Sequence, residues 1–299
     1  MSGSKWTSAI AFRVASEWYA FLVPRLALVL IIFGGLLFAQ KNASTRAAWN
    51  QPMPPFRIIG NIYYVGVTGV SSFLIVTPKG DILLDGGLPE SAPLIEKSIA
   101  ALGFHIRDVK ILLNSHAHYD HDGGLAELKR ASGAQLVASR ADTPVLTSGR
   151  QPGFPDSPPV HVDRQIDDGA TVDLGGTVLT AHLTPGHTKG CTTWTMPVTD
   201  AGRTYNVLFY CSTSVVDRLV GNTWYPQIVS DYEATFRKLR TLQCDVFLGS
   251  HGGFFNLDQK RKKLAAGGPN PFIDPNEFRA FVDDSERDFR KALAREQKR

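Results

Sequence analysis

The stretch NSHAHYDHDGG, residues 114 to 124, limits the fold more tightly than any other part of the chain. It packs His116, His118, Asp120 and His121 into six positions. Neutral imidazole and carboxylate are the donors that a borderline divalent ion such as zinc accepts. The chain has 8 histidines in all, so random scatter does not account for three of them in this one stretch. Val109 to Leu113 reads as a buried strand that ends where the cluster begins. In the loop that follows, the alternate residues His116 and His118 can point the same way. Asp120 and His121 then fall at the turn into the next helix. Further ligands have to arrive from strand ends elsewhere in the chain.

Two candidates share one setting. In TPGHTKG, His187 sits in a glycine-flanked turn just after a strand ending at Leu183, and in FLGSHGGFF His251 does the same. A lone loop histidine is often a capping or surface group. The repeated pattern of strand, glycine and histidine makes both of these ligand candidates. His105, His161 and His182 lack that setting and read as structural or exposed.

Hydrophobic periodicity supplies the frame that would bring these loops together. Ile62 to Val67, Ser71 to Thr77 and Asp81 to Asp85 read as an antiparallel meander, split by Gly and Pro turns. Glu90 to Leu102 has apolar residues at helical spacing and closes on Gly103. Gly124 to Ala131 and Asp142 to Thr147 read as short helices, with a strand at Ala134 to Ser139 between them. Residues 149–159 are rich in Gly and Pro and form a loop in which Phe154 would border the cleft. The second half repeats the grammar. Strands are expected at Thr171 to Leu174, Thr177 to Leu183, Thr192 to Pro197, Asn206 to Tyr210 and Asp245 to Leu248, and helices at Tyr232 to Leu242 and Asn276 to Ala294. Strands then helix, twice, predict an α/β fold of two packed sheets with helices outside, a four-layer αββα sandwich.

Composition bounds the remaining choices. With 299 residues, 43% of them apolar and 20% charged, the chain can build a large globular core. The run Lys260 to Lys263 has no interleaved aromatic residues and reads as a solvated face, which argues against a nucleic-acid partner. Lys5, Arg13 and Arg25 precede Leu26 to Phe38, an apolar stretch free of charge and proline. That is the layout of an export signal. It is shorter than the roughly 20 residues of a comfortable membrane span. The segment 1–40 is therefore expected to be an export signal or, if it is not cleaved, an N-terminal anchor, and that anchor is the only expected membrane contact. Loss of Lys5, Arg13, Arg25 and Glu17 with it would lower the net charge from +4 to +2. The three cysteines, Cys191, Cys211 and Cys244, form no CxxC pair, which excludes a cysteine-based zinc knuckle.

The sequence H-x-H-x-D-H, followed by His187 and His251, resembles the metallo-β-lactamase fold superfamily from about Phe56 onward. Many non-lactamase hydrolases of that superfamily carry a bridging aspartate after the strand that here reads NVLFYCSTSV. This chain offers Cys211 and Ser212 there, and the next acid, Asp217, comes too late. The full set looks like the third subclass of metallo-β-lactamases. The resemblance implies two zinc ions, one on His116, His118 and His187 and the other on Asp120, His121 and His251. It also implies a disulfide between Cys211 and Cys244, both near strand ends, with Cys191 left over, and a contact from Ser214 to the substrate carboxylate. The expected organisation is then an export segment at 1–40, a linker or arm at 41–55 and a metallo-β-lactamase domain at 56–299.

The activity implied is hydrolysis of the β-lactam amide by a hydroxide held between the zinc ions, with Asp120 both a ligand and an orienter of the nucleophile. The location implied is the periplasm. A serine mechanism would need S-x-x-K with K-T-G partners; the only S-x-x-K lies at Ser2 to Lys5, and K-T-G is absent. Two alternatives stay open: another hydrolase of the same fold, such as a lactonase or thioesterase, and a metal-dependent binding protein without catalysis.

Overall fold

Alternation along the strands decides how many layers the molecule needs. In β3 (Phe73–Thr77) and β4 (Gly80–Leu84), Phe73, Ile75, Ile82 and Leu84 enter one buried cluster, whereas Leu74 and Leu83 enter another. Neighbours in a strand point to opposite faces, so strands apolar on both faces must be covered on both. The same split places Leu113 and Val137 on one side of β5 (Val109–Leu113) and β6 (Gln135–Ser139), and Leu112 and Leu136 on the other.

The computed structural model describes residues 45–298. The expected export segment at 1–40 lies outside the described residues, as does the start of the arm expected at 41–55. Among the described residues no helix is long and apolar enough to cross a membrane. Trp49–Arg299 form one unit.

Within that unit, β1 (Phe56–Ile59), β2 (Ile62–Tyr64), β3, β4, β5, β6 and β7 (Arg164–Ile166) form a seven-stranded sheet in sequence order. Its first four strands pair antiparallel, and β4 to β7 pair parallel. The second sheet has the order β12-β11-β10-β9-β8, built from β8 (Thr171–Leu174), β9 (Thr177–Leu183), β10 (Thr192–Asp200), β11 (Arg203–Tyr210) and β12 (Val246–Gly249). It is antiparallel except between β11 and β12.

Helices cover both outer faces. From α1 (Ala92–Ala101), α3 (Leu125–Ser132) and α4 (Thr143–Ser148), the side chains of Ile95, Ile99, Leu125, Leu128 and Leu146 bury against the outer face of the first sheet. The short α2 (Tyr119–Asp122) carries the ligand cluster between them. On the other side, α5 (Ile228–Leu239) and α7 (Glu277–Glu296) bring Tyr232, Phe236, Phe278 and Phe289 against the second sheet. Phe247 and Phe278 approach to 5.2 Å between ring centroids. Each such buried aromatic contributes about 1.5–3 kcal/mol. The result is the expected four-layer αββα sandwich.

Some elements differ from the sequence reading. β1 and β7 were not expected, and α6 (Leu257–Ala265) takes up the basic run. Lys262 and Lys263 are exposed as expected, but Lys260 is buried and paired with Glu277. α5 starts at Ile228 rather than Tyr232, because Ile228 continues the same buried face one turn earlier.

The cysteine pairing is also corrected. Cys211 is bonded to Cys191, and Cys244 is free. Register explains this. β11 and β12 run parallel with Val207 opposite Val246 and Tyr210 opposite Gly249, so Cys244 and Cys211 lie at opposite ends of the strand pair. Six residues of strand separate their levels by about 20 Å, and a disulfide needs Cα atoms within about 7 Å. Cys191 precedes β10, which pairs antiparallel with β11, and its Cα lies 5.9 Å from that of Cys211.

The C-terminal ends of β4, β5, β9, β11 and β12 converge at one edge of the sandwich. Thr192 N donates to Ser115 O at 2.7 Å, and Trp194 Nε1 to Asn114 O at 3.3 Å, tying the first sheet's strand ends to the second. Ser250 N donates to Tyr210 O at 3.0 Å.

Candidate metal centre

Six residues meet at this edge in two groups of three: His116, His118 and His187 in one, Asp120, His121 and His251 in the other. In the first group, His118 Nδ1 lies 3.1 Å from His187 Nε2. His116 Nε2 is buried and has no hydrogen-bond partner. In the second group, His121 Nε2 lies 3.1 Å from His251 Nε2, and each lies 3.5 Å from Asp120 Oδ2. A tetrahedral ion with ligands at about 2.0–2.1 Å would hold its donors about 3.3–3.5 Å apart. Both triads therefore fit a small divalent cation such as zinc. All six residues named from the sequence are brought together, whereas His105, His161 and His182 stand outside both groups.

Hydrogen bonds from the surrounding chain fix the outward nitrogens of three of the rings. His187 Nδ1 hydrogen-bonds Ser214 O at 2.7 Å, and His251 Nδ1 hydrogen-bonds Gly69 O at 3.0 Å. His116 Nδ1 meets Ser115 Oγ at 3.0 Å, and His121 Nδ1 lies 3.6 Å from Asp85 Oδ2. Hydrogen bonds of this kind set tautomer and ring orientation and leave the opposite nitrogen of His116, His187 and His251 for a metal, while His121 Nδ1 and His118 Nε2 are buried without a hydrogen-bond partner among the described residues.

Electrostatics divides the cluster. Burial, then the neighbouring imidazoles, hold His116 and His118 well below the ordinary histidine range. Burial brings His187 and His251 down to about 4. At His121 burial acts in the same direction, but the carboxylates of Asp120 and Asp85 outweigh it and push the ring up to about 10. Burial would raise Asp120, yet the charge and hydrogen bond of His121 hold it well below the usual carboxylate range. Burial thus favours the neutral ring at His116, His118, His187 and His251, whereas the two carboxylates draw a proton to His121 that an incoming metal ion would displace.

Two acids that sequence reasoning did not single out position the ligand loops. Asp85, at the end of β4, adopts φ 64°, a left-handed conformation that Asp tolerates better than most residues. Its carboxylate accepts from Ser115 N at 2.7 Å and Ser115 Oγ at 2.6 Å while facing His121. Asp142, before α4, accepts from Ala117 N at 3.0 Å, Thr188 Oγ1 at 2.8 Å and Gly190 N at 2.8 Å. It stitches the His116–His118 loop to the His187 turn. The DGG run at residues 85–87 was the available signal for Asp85; nothing local marks Asp142.

The rim is aromatic. Phe154 stacks on His118 with ring centroids 4.3 Å apart, which places the 149–159 loop over the first triad. Trp49 and Phe254 flank His251 at 5.3 and 5.2 Å. Ser214 is exposed, but its main chain meets the site first: its carbonyl accepts from both His187 Nδ1 and Tyr232 Oη. Cys211 Sγ lies 3.6 Å from His116 Nδ1, but it is committed to the bond with Cys191.

Comparison with known proteins agrees with this geometry. The family model described as "Metallo-beta-lactamase superfamily" matches residues 65–251. BJP-1, a subclass B3 metallo-beta-lactamase of Bradyrhizobium japonicum, is 45% identical with a TM-score of 0.81, covering 84% of this chain and 97% of that one. The FEZ-1 metallo-beta-lactamase of Legionella gormanii is 42% identical with a TM-score of 0.80, covering 83% and 98%. A Cronobacter sakazakii relative at 36% identity and TM-score 0.82, covering 86% of this chain and 94% of its own, is described by an HARLDQ motif, where this chain reads HAHYDH. Among curated proteins, a hydroxyacylglutathione hydrolase of Rhodospirillum rubrum is 32% identical over 102 residues, 34% of each chain. The chain thus matches about a third of the length of that curated relative. The family model spans more than half of the chain, and the solved structures match over nearly their whole length, so the chain belongs to the metallo-beta-lactamase superfamily and, within it, to the subclass B3 metallo-beta-lactamases.

Proposed function

We propose that the protein hydrolyses the amide of β-lactam rings, with two zinc ions held by the two triads. The observation that carries this reading is the end of β11, where no carboxylate reaches between the triads. Cys211 is bonded to Cys191, Ser212 is buried, and Asp217 is turned aside to Arg218 N and Asn222 Nδ2. The resemblance implies a bridging aspartate at this position in many of the non-lactamase hydrolases.

His116 Nε2, His118 Nδ1 and His187 Nε2 would hold one ion, and Asp120 Oδ2, His121 Nε2 and His251 Nε2 the other. When bound, zinc supplies Lewis acidity and lowers the pKa of a coordinated water to about 7. The chain does the rest. Asp120 orients the attacking water, and Phe154 over His118 excludes bulk solvent from that face. Asp85 and the carbonyls of Gly69 and Ser214 keep the imidazoles in register. Ser214 is the candidate contact for a substrate carboxylate. The Cys191–Cys211 bridge supports an exported protein in an oxidising compartment such as the periplasm.

The purified protein should open a chromogenic cephalosporin, lose that activity to a chelator and regain it with zinc. Turnover that survives removal of the metal would overturn the mechanism. The partial likeness to hydroxyacylglutathione hydrolases favours a second reading, thioester hydrolysis at the same centre. Faster turnover of an acyl-glutathione thioester than of any β-lactam would decide for it.

A further inference from the structure

Behind the His187 turn lies a second concavity of about 190 Å³, whose walls include Pro144 and Val145 of α4, Arg150 and Gln151 of the following loop, Lys189 and Trp224. It shares two structural pieces with the metal centre. Lys189 is two residues from His187, and Gln151 O accepts from the backbone N of Phe154, whose ring covers His118. The pocket is thus built on the same two chain segments that present His187 and Phe154 to the metal centre.

The chemistry of the walls is specific. Trp224 is one of few large apolar side chains left exposed among the described residues, at 44%. Lys189 Nζ sits 4.2 Å from its ring centroid and 5.7 Å from that of Tyr225, which fixes a cation over an aromatic face. Arg150 adds a second cation, paired at 3.7 Å with Asp156 at an open surface, a contact that costs little to exchange. Gln151 Oε1 is a buried acceptor without a partner among the described residues. Asp142 also borders the pocket, but its oxygens are taken by Ala117 N, Thr188 Oγ1 and Gly190 N.

Two cations, an indole face and an apolar wall suit a ligand with an apolar body and a negative charge. We propose that this pocket is a substrate subsite for an acyl side chain that carries a carboxylate on an aromatic ring-bearing carbon. The proposal rests on the β-lactam reading for its substrate and on the pocket alone for its ligand class.

The test uses a matched pair, a penicillin with a benzyl side chain and its α-carboxylated counterpart. In Lys189→Met, which keeps the apolar stem and removes the charge, the ratio of kcat/KM for the carboxylated over the uncharged substrate should fall about tenfold, the value of one charge-assisted contact. The loss should appear in KM rather than kcat. A ratio that stays at the native value overturns the proposal. Binding is read separately by titrating the protein with phenylmalonate and following tryptophan fluorescence. Saturable quenching that disappears in Trp224→Phe is expected, and its absence in the native protein overturns the subsite. Should no β-lactam be turned over while phenylmalonate still quenches Trp224, the β-lactam reading fails and the anion pocket stands.

Discussion

At the scale of single residues, the six ligand candidates could be read from the chain, but the role of Asp85 could not. The histidines announce themselves because imidazole is rare and four donors in six positions have no bland explanation. A single Asp before two glycines looks like an ordinary turn. Its role follows only from the pairing of β4 with β5, which sets Leu84 beside Leu113 and so brings Asp85 against Ser115 and His121. Asp85→Asn keeps the shape and removes the charge that faces His121. Zinc affinity of the second triad should fall about 10- to 100-fold, as expected for a partner that orients a ligand. Competition against a chromophoric chelator measures it, with circular dichroism to show that the fold persists; undiminished affinity would mean that Asp85 serves only Ser115. Asp120→Ala removes both a ligand oxygen and the water-orienting group, so turnover of the cephalosporin should drop by about 100-fold or more. Near-native turnover would show that its proposed role is wrong.

At the scale of elements, periodicity found the strands that carry apolar residues in alternation and missed those that do not. β7 buries only Ile166 of its three residues, and β1 reads FRII directly after prolines, so neither shows a period. α6 hid behind its basic run, although Leu257 and the Lys260–Glu277 pair anchor it. The turn from β9 to β10 shows a constraint that no periodicity reports. A Cβ on Gly190 would lie 1.9 Å from Ser139 Oγ and 2.7 Å from Asp142 Cγ, so the His187 turn can seat against α4 only because this residue is glycine. Gly190→Ala should push Asp142 away from Ala117 and Thr188. A cost of about 1–3 kcal/mol follows from such overpacking. Thermal unfolding and zinc affinity should both decline, while Gly253→Ala, where an added Cβ meets nothing within 4 Å, should change the unfolding temperature little. Equal melting temperatures for the two variants would show that the turn has slack the close contacts hide.

For the whole molecule, the layering was legible because runs of strands closed by a helix occur twice along the chain, but the covalent cross-link was not. Three cysteines allow three pairings, and strand ends alone do not choose among them; the parallel register of β11 and β12 does. The bridge found, Cys191 to Cys211, closes a sequence separation of 20 residues and joins the entry of β10 to the exit of β11, at the edge where the ligand loops gather. Cross-linking a loop of that size restricts the unfolded chain and is worth about 3 kcal/mol. Protein purified from an oxidising compartment, denatured without reductant and alkylated, should take up label at Cys244 alone, as mapped by mass spectrometry. Label at Cys191 alone would restore the Cys211–Cys244 pairing, and label at all three would show that the chain matures as a thiol. The Cys191→Ser, Cys211→Ser double variant should then unfold several degrees lower, in keeping with about 2–4 °C per kcal/mol for a domain of this size. Cys244→Ser should not, because a thiol lying outside the bridge constrains nothing in the unfolded state.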